Sequence, residues 1–184
     1  FIPAGTGILR DFSYIAPEIP LLNSENCVAC MACVIECPDT AILGKVVPKS
    51  KLEAELAQIP DEAEREHYRK QFGKTTKFWN VYEKKGDEPG YFGIFIDPTK
   101  CKGCAECVDA CGDHDALAML KKDDRTLKRY QRTWNFYTRM PETPKKFINE
   151  KLLTDMMLAE RSLLYAGAAA SCMACGEGTA LRML

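Results

Sequence analysis

Apolar residues alternate with their neighbours along "GYFGIFID", where Phe92, Ile94 and Ile96 share one side of an extended chain. This period of two predicts a strand with one buried face. A shorter extended run, "EIPLL", leads through a polar stretch to Cys27, as "FGIFIDPTK" leads to Cys101. Each run opens a unit that reads as strand, cysteine loop, short helix, strand. Between the units the period changes. "SKLEAELAQIPDEAEREHYRKQFG" predicts two amphipathic helical pieces that break at Pro60 and stop near Gly73. "KFWNVYEKKGDEPGYFGIFID" predicts a hairpin of two aromatic strands joined by a Gly/Pro turn. Residues 121–146 predict a helix whose charged face is solvated and whose aromatics (Tyr130, Trp134, Phe136, Tyr137) pack on a neighbour. Residues 144–167 predict a helix closing at Gly167. The longest apolar run, Leu163 to Ala170, falls far short of the roughly 18 residues that cross a bilayer.

Composition narrows the function. The chain has 184 residues, 46% of them hydrophobic, which suits one domain with extensions. A net charge of −1 gives no bulk attraction to nucleic acid or membrane. Only residues 121–146 are basic; a solvated helix face is the favoured reading, with an acidic protein partner next and nucleic acid disfavoured. "FIPAGTG" has neither the basic n-region nor the apolar h-region of a signal peptide. The chain starts at Phe1 and stops within the helix-like "GEGTALRML", so it is expected to be a piece of a longer polypeptide.

The chemistry lies in ten cysteines. Eight form two Cys-x2-Cys-x2-Cys-x3-Cys runs, "CVACMACVIEC" and "CKGCAECVDAC", at a constant offset of 74 residues. The repeat continues beyond them, because "CPDTAI" matches "CGDHDAL" with one extra residue. Disulfide frameworks spread their cysteines to close long loops, and bridges within Cys-x2-Cys contribute little. Structural zinc uses pairs of ligands, a pattern that four thiolates in one run overfill. The spacing fits [4Fe–4S] clusters. Three cysteines curl round one cluster, and the fourth turns away to ligate the other. One cluster is thus expected on Cys27, Cys30, Cys33 and Cys111, and a second on Cys101, Cys104, Cys107 and Cys37. Apolar residues between the ligands (Val28, Ala29, Met31, Ala32, Val34, Ile35; Ala105, Val108, Ala110) would exclude water and lower the potential. One departure is that Cys111 is followed by Gly112 where Cys37 is followed by Pro38, which predicts a looser turn. His67 and His114 read as surface or supporting residues.

With these motifs and their strand lead-ins, residues 15–120 resemble the two-cluster bacterial ferredoxin domain. The fold expected is α+β: a two-cluster ferredoxin-like domain with a helical and hairpin insert at 47–90 and a helical C-terminal extension. "AGAAASCMACGEGTALRML" resembles the segment that opens the thiamine-diphosphate domain of the pyruvate:ferredoxin oxidoreductase and wider 2-oxoacid:ferredoxin oxidoreductase family. The resemblance implies a linker from a preceding domain at 1–14, a helical linker at 121–165 and the start of the thiamine domain at 166–184. It makes Cys172 and Cys175 two ligands of a third [4Fe–4S] cluster. It implies thiamine diphosphate, Mg2+ and coenzyme A in the rest of the enzyme, and assigns no catalytic residue here. Electrons from 2-oxoacid decarboxylation, pyruvate being the default, would pass singly through the clusters to ferredoxin or flavodoxin. A homodimer in an anaerobic or oxygen-protected cytoplasm follows, with neither nucleic acid nor membrane as partner. The alternatives are a stand-alone ferredoxin-like carrier or an iron–sulfur subunit of another redox complex. In those, Cys172 and Cys175 would be ordinary buried cysteines or a redox dithiol. A scaffold subunit docking partners through residues 121–146 is a third reading.

Overall fold

The structure is a computed structural model and describes residues 13–159. Helices and strands are mixed, and the strands pair across the repeat rather than within each unit. The first unit gives β1 (Glu18–Leu22), α1 (Ala32–Ile35) and β2 (Ile42–Pro48); the second gives β4 (Gly90–Ile96), α5 (Glu106–Cys111) and β5 (Leu117–Lys121). β1 runs antiparallel to β5, with Pro20 opposite Met119 and Leu22 opposite Leu117. β2 runs antiparallel to β4, with Ile42 opposite Ile96 and Val46 opposite Phe92. The first strand of each unit thus pairs with the last strand of the other. The two cysteine loops meet as a consequence, however long the segment between them.

The insert contributes α2 (Lys49–Ala57), α3 (Glu62–Arg69), the two-residue strand β3 (Phe72–Gly73) and α4 (Val81–Lys84). The two helical pieces fall where the sequence predicts, on either side of Pro60. Asp61 caps α3, its side chain accepting from the Ala63 N–H. Gly73 is not a helix stop. It lies in β3 opposite Phe92, and an added Cβ would come within 2.3 Å of the Ser24 carbonyl oxygen.

The predicted hairpin is not formed. β3 already occupies the free edge of β4, pairing Phe72 with Gly93. The aromatic run that follows coils instead into one π-helical turn, Thr76–Asn80, and α4. The Thr75 side chain accepts from the Phe78 N–H and starts that turn. Phe78 stacks on Phe92 at 5.7 Å, and Trp79 packs on Tyr91 at 4.5 Å.

β4 is buried on both faces, not one. Phe92, Ile94 and Ile96 join a core with Met31, Val34, Val46 and Leu117. On the other side Phe95 joins Leu52, Leu56, Tyr68 and Phe72 of the insert, together with Phe136, Tyr137 and Met140. The last three belong to, or follow, α6 (Asp124–Arg139), whose apolar stripe packs inward as its sequence predicts. Asp123 caps α6. At its other end the fully buried Lys45 donates to the carbonyls of Tyr137 and Met140, each at 3.1 Å.

Residues 144–158 are not one helix. A 3-10 turn at Lys145–Phe147 and the short α7 (Leu153–Met156) are separated by extended backbone at Ile148. The buried Asp155 carboxylate accepts from the Asn149 N–H and pairs with Lys77, which fixes the bend. The predicted continuation to Gly167 lies outside the described residues.

Candidate metal centre

Both cysteine loops take the same unusual path. Ala29 and Met31 have left-handed backbone (φ 62 and 66), and so do Gly103 and Ala105 (φ 72 and 67), the positions 74 residues later. Alternating left-handed residues curl a loop and turn its N–H groups inward, forming a concavity suited to negative charge. The strain this imposes on three non-glycine residues recurs at the same register in both copies. A third pair, Thr40 and Asp115 (φ 50 and 49), follows the fourth cysteine, offset by the one extra residue of the second copy. That extra residue explains the Gly in place of Pro. Gly112 has φ 52 and ψ −133, a region open to glycine and closed to proline, whose φ is fixed near −65°.

After each loop a short helix begins. Cys33 lies in α1 and Cys37 just past its end; Cys107 and Cys111 lie in α5. A separation of four residues is about 6 Å along a helix axis. The third and fourth cysteines of each run line different cavities. Cys27, Cys30, Cys33 and Cys111 line one, with Leu22, Met31 and Phe92 among its walls. Cys37, Cys101, Cys104 and Cys107 line another, with Pro20, Ile42 and Met119. Of the apolar wall residues from the strands, the alternation in the sequence marked Phe92, but not Pro20, Leu22, Ile42 or Met119. Pro20 and Leu22 share a face of β1 and line different cavities because the two sites lie side by side along the strand.

Electrostatics group most of the thiols in the same way, the exception being Cys33, which feels Cys107 of the other cavity ahead of Cys30 and Cys111. Burial pushes Cys27 up, and the charges of Cys30 and Cys111 add to it, against a lowering hydrogen bond from Ala29. Cys33 is driven far above the usual thiol range by burial, then by Cys27, with Cys107 next. Cys107 is pushed up to about 12 by burial, then by Cys37, Cys101 and Cys104. Cys37 and Cys101 are raised by burial too, offset by backbone N–H donors. One of these is the Ala41 N–H, 3.2 Å from the Cys37 sulfur. Four thiolates so placed repel one another and require a positive core. Among the described residues, no three His, Cys, Asp or Glu side chains converge as they would round a single ion. The thiols ring a void instead. This donor set fits a multi-atom iron–sulfur group better than one zinc, whose Zn–S bonds are about 2.3 Å.

Cys30 and Cys104 are exposed at the two mouths, and Cys33, Cys101, Cys107 and Cys111 are buried. α1 and α5 are in contact, and the charges of Cys33 and Cys107 reach each other across them. His114 is exposed at the rim of the first cavity. His67 lines neither cavity, its Nε2 lying 2.8 Å from the Thr133 hydroxyl. Cys172 and Cys175 lie outside the described residues.

Residues 20–43 match the 4Fe-4S binding domain family, a span that holds the first cysteine run. Longer matches extend over most of the chain. It is 27% identical over 177 residues, 92% of its length, to a pyruvate-flavodoxin oxidoreductase of Nostoc sp., and 29% identical over 164 residues, 89% of its length, to the pyruvate:ferredoxin oxidoreductase of Moorella thermoacetica. It is 30% identical over its whole length to the pyruvate dehydrogenase [NADP(+)] of Cryptosporidium parvum. The chain spans only 13%, 12% and 8% of these relatives. No helix among the described residues is long and apolar enough to cross a membrane.

Proposed function

Because the chain belongs to the pyruvate:ferredoxin oxidoreductase family, we propose that it is the electron-transfer region of a CoA-dependent 2-oxoacid oxidoreductase, with pyruvate as the substrate of the whole enzyme. The observation that carries this reading is the pair of four-thiol cavities. Cys27, Cys30, Cys33 and Cys111 would hold one [4Fe–4S] cluster, and Cys37, Cys101, Cys104 and Cys107 a second. Bound there, such clusters take up and release single electrons at low potential.

The chain's own residues prepare the sites. Within the left-handed turns the Ala29 and Gly103 N–H groups donate to the Cys27 and Cys101 sulfurs. Met31, Phe92 and Met119 exclude water, which disfavours the more negative reduced state, and the donors to sulfur partly offset that cost. Contact between α1 and α5 brings the sites close enough for their thiolates to interact. Residues 15–120 form the ferredoxin-like domain on this reading, 121–165 a linker and 166–184 the opening of a thiamine domain. Cys172 and Cys175 would supply two ligands of a third cluster. Thiamine diphosphate, Mg2+ and coenzyme A belong to the remaining domains, and the acceptor is a ferredoxin or flavodoxin. A homodimer in the cytoplasm completes the proposal.

The test is anaerobic reconstitution of this chain with iron and sulfide, followed by metal analysis and EPR of the reduced protein. The expected result is roughly eight iron atoms per chain from the two described sites, with the spectrum of two interacting clusters. Zinc in place of iron, or uptake of a single cluster, would overturn the assignment.

A further inference from the structure

Arg125, Lys128, Arg129 and Arg132 recur at i, i+3, i+4 and i+7 along α6, so they form one stripe. All four are exposed, and none is ion-paired among the described residues. The arrangement is unfavourable by itself, because Arg125 with Arg129 and Lys128 with Arg132 are like charges one turn apart. The stripe lines an open cleft whose opposite wall is α3. Three acids share it: Asp61 caps α3, Glu64 accepts from the Tyr68 hydroxyl at 2.6 Å, and Asp124 opens α6, so four cations face three carboxylates. The opposite side of α6 is spent on the core, with Tyr130, Phe136 and Tyr137 buried and the half-buried Trp134 stacked on Tyr137, so α6 presents no row of exposed aromatics for stacking bases. The four cations form an open row roughly 10 Å long, not a converging pocket. A row suits several carboxylates better than one small anion.

The stripe also leads to a cluster site. Lys102 lines the cavity of Cys37, Cys101, Cys104 and Cys107. β5, whose Met119 stands in the wall of that cavity, runs through Lys122 directly into α6, so the stripe begins beside it.

We propose that this stripe is the docking surface for an acidic electron-carrier protein, whose carboxylates lie along α6 and whose redox centre then faces the second cavity. The inference rests on the electron-transfer reading above. The test uses the full polypeptide that carries this chain, loaded with its cofactors, with the four residues replaced together (R125Q/K128Q/R129Q/R132Q). An acidic flavodoxin and methyl viologen, a small acceptor that needs no docking surface, are the two probes. The expected result is a loss of at least about 30-fold in kcat/KM for flavodoxin at low ionic strength, with a flattened salt dependence and an unchanged viologen rate. Lysine at the three arginine positions should retain most of the wild-type flavodoxin rate. Unchanged flavodoxin kinetics in the glutamine variant, with iron content and viologen rate intact, would overturn the docking surface alone. So would an equal loss with both probes, or stronger inhibition by inorganic phosphate than by chloride of equal ionic strength. A wild-type protein that holds no iron and reduces neither probe would overturn the electron-transfer reading and the docking surface with it.

Discussion

Cys111 follows Cys107 by one helical turn yet lines the other cavity, so its partners are Cys27, Cys30 and Cys33. Single substitutions should therefore group by cavity and not by position in the sequence. Cys111→Ser and Cys27→Ser should leave the same residual EPR spectrum after reconstitution, and Cys37→Ser and Cys101→Ser the other one. Grouping of Cys111→Ser with Cys101→Ser would show that each run closes on its own cluster. His67 makes a second prediction at this scale. Burial lowers its pKa below 6.5, and Arg129 adds to the effect, with Arg132 and Lys70 nearby and Glu64 opposing. The unfolded chain then binds a proton that the folded chain resists. Stability contributed by neutral His67 is complete above about pH 6.5 and is lost as pH falls towards the folded value. Thermal midpoints measured between about pH 7 and pH 5 should fall less steeply in His67→Gln, which keeps a donor for the Thr133 hydroxyl. Equal slopes would remove His67 from the acid response.

At the scale of elements, the most telling contact is one that periodicity hides. Lys45 stands in β2 where an apolar residue would match its burial, and its ammonium caps α6 by bonding the carbonyls of Tyr137 and Met140. It also lies 4.2 Å from the Tyr137 ring centroid. Lys45→Met keeps the volume and strands the Met140 carbonyl, whereas the Tyr137 carbonyl still accepts from the Met140 N–H. Urea denaturation should show a loss of about 1–3 kcal/mol, above the ±0.5 kcal/mol typical of surface changes. A loss below about 0.5 kcal/mol would mean that water reaches that carbonyl. Nothing in the sequence marks Lys45, because its role depends on a helix that follows nearly 80 residues later. The failed hairpin has a similar origin. Residues 77–82 have strand-like aromatic content, but β3 takes the free edge of β4 and the Thr75 cap starts a helical turn. By contrast α2, α3 and α6 were legible, since the break at Pro60 and the apolar spacing act locally, while their Asp61 and Asp123 caps emerged only with the structure.

For the molecule as a whole, the internal repeat made the cysteine sites legible and left the sheets unspecified. The cysteine spacing divided the eight positions into the same two sets that line the two cavities, whereas nothing local says that β1 pairs with β5 or β2 with β4. That crossed pairing has a consequence for stability. Each cavity takes thiols from both units, and each pair of strands joins both units, so neither half can open alone without exposing both sites. Each cavity holds four thiols close together, two of them buried, and burial drives up Cys33 in one and Cys107 in the other, so their thiolates depend on the positive charge of the iron. Anaerobic calorimetry of the loaded chain should thus show one transition spanning both clusters. Removal of iron by a chelator should lower its midpoint by at least about 10 °C, since metal binding is folding free energy in small metal-bound domains. The insert and α6 bury a second core away from the cysteines, so the iron-free chain should keep much of its far-ultraviolet helical signal at low temperature. Two separate transitions in the loaded protein, each lost with one cluster, would mean that the halves fold independently and that the crossed strands do not couple the sites.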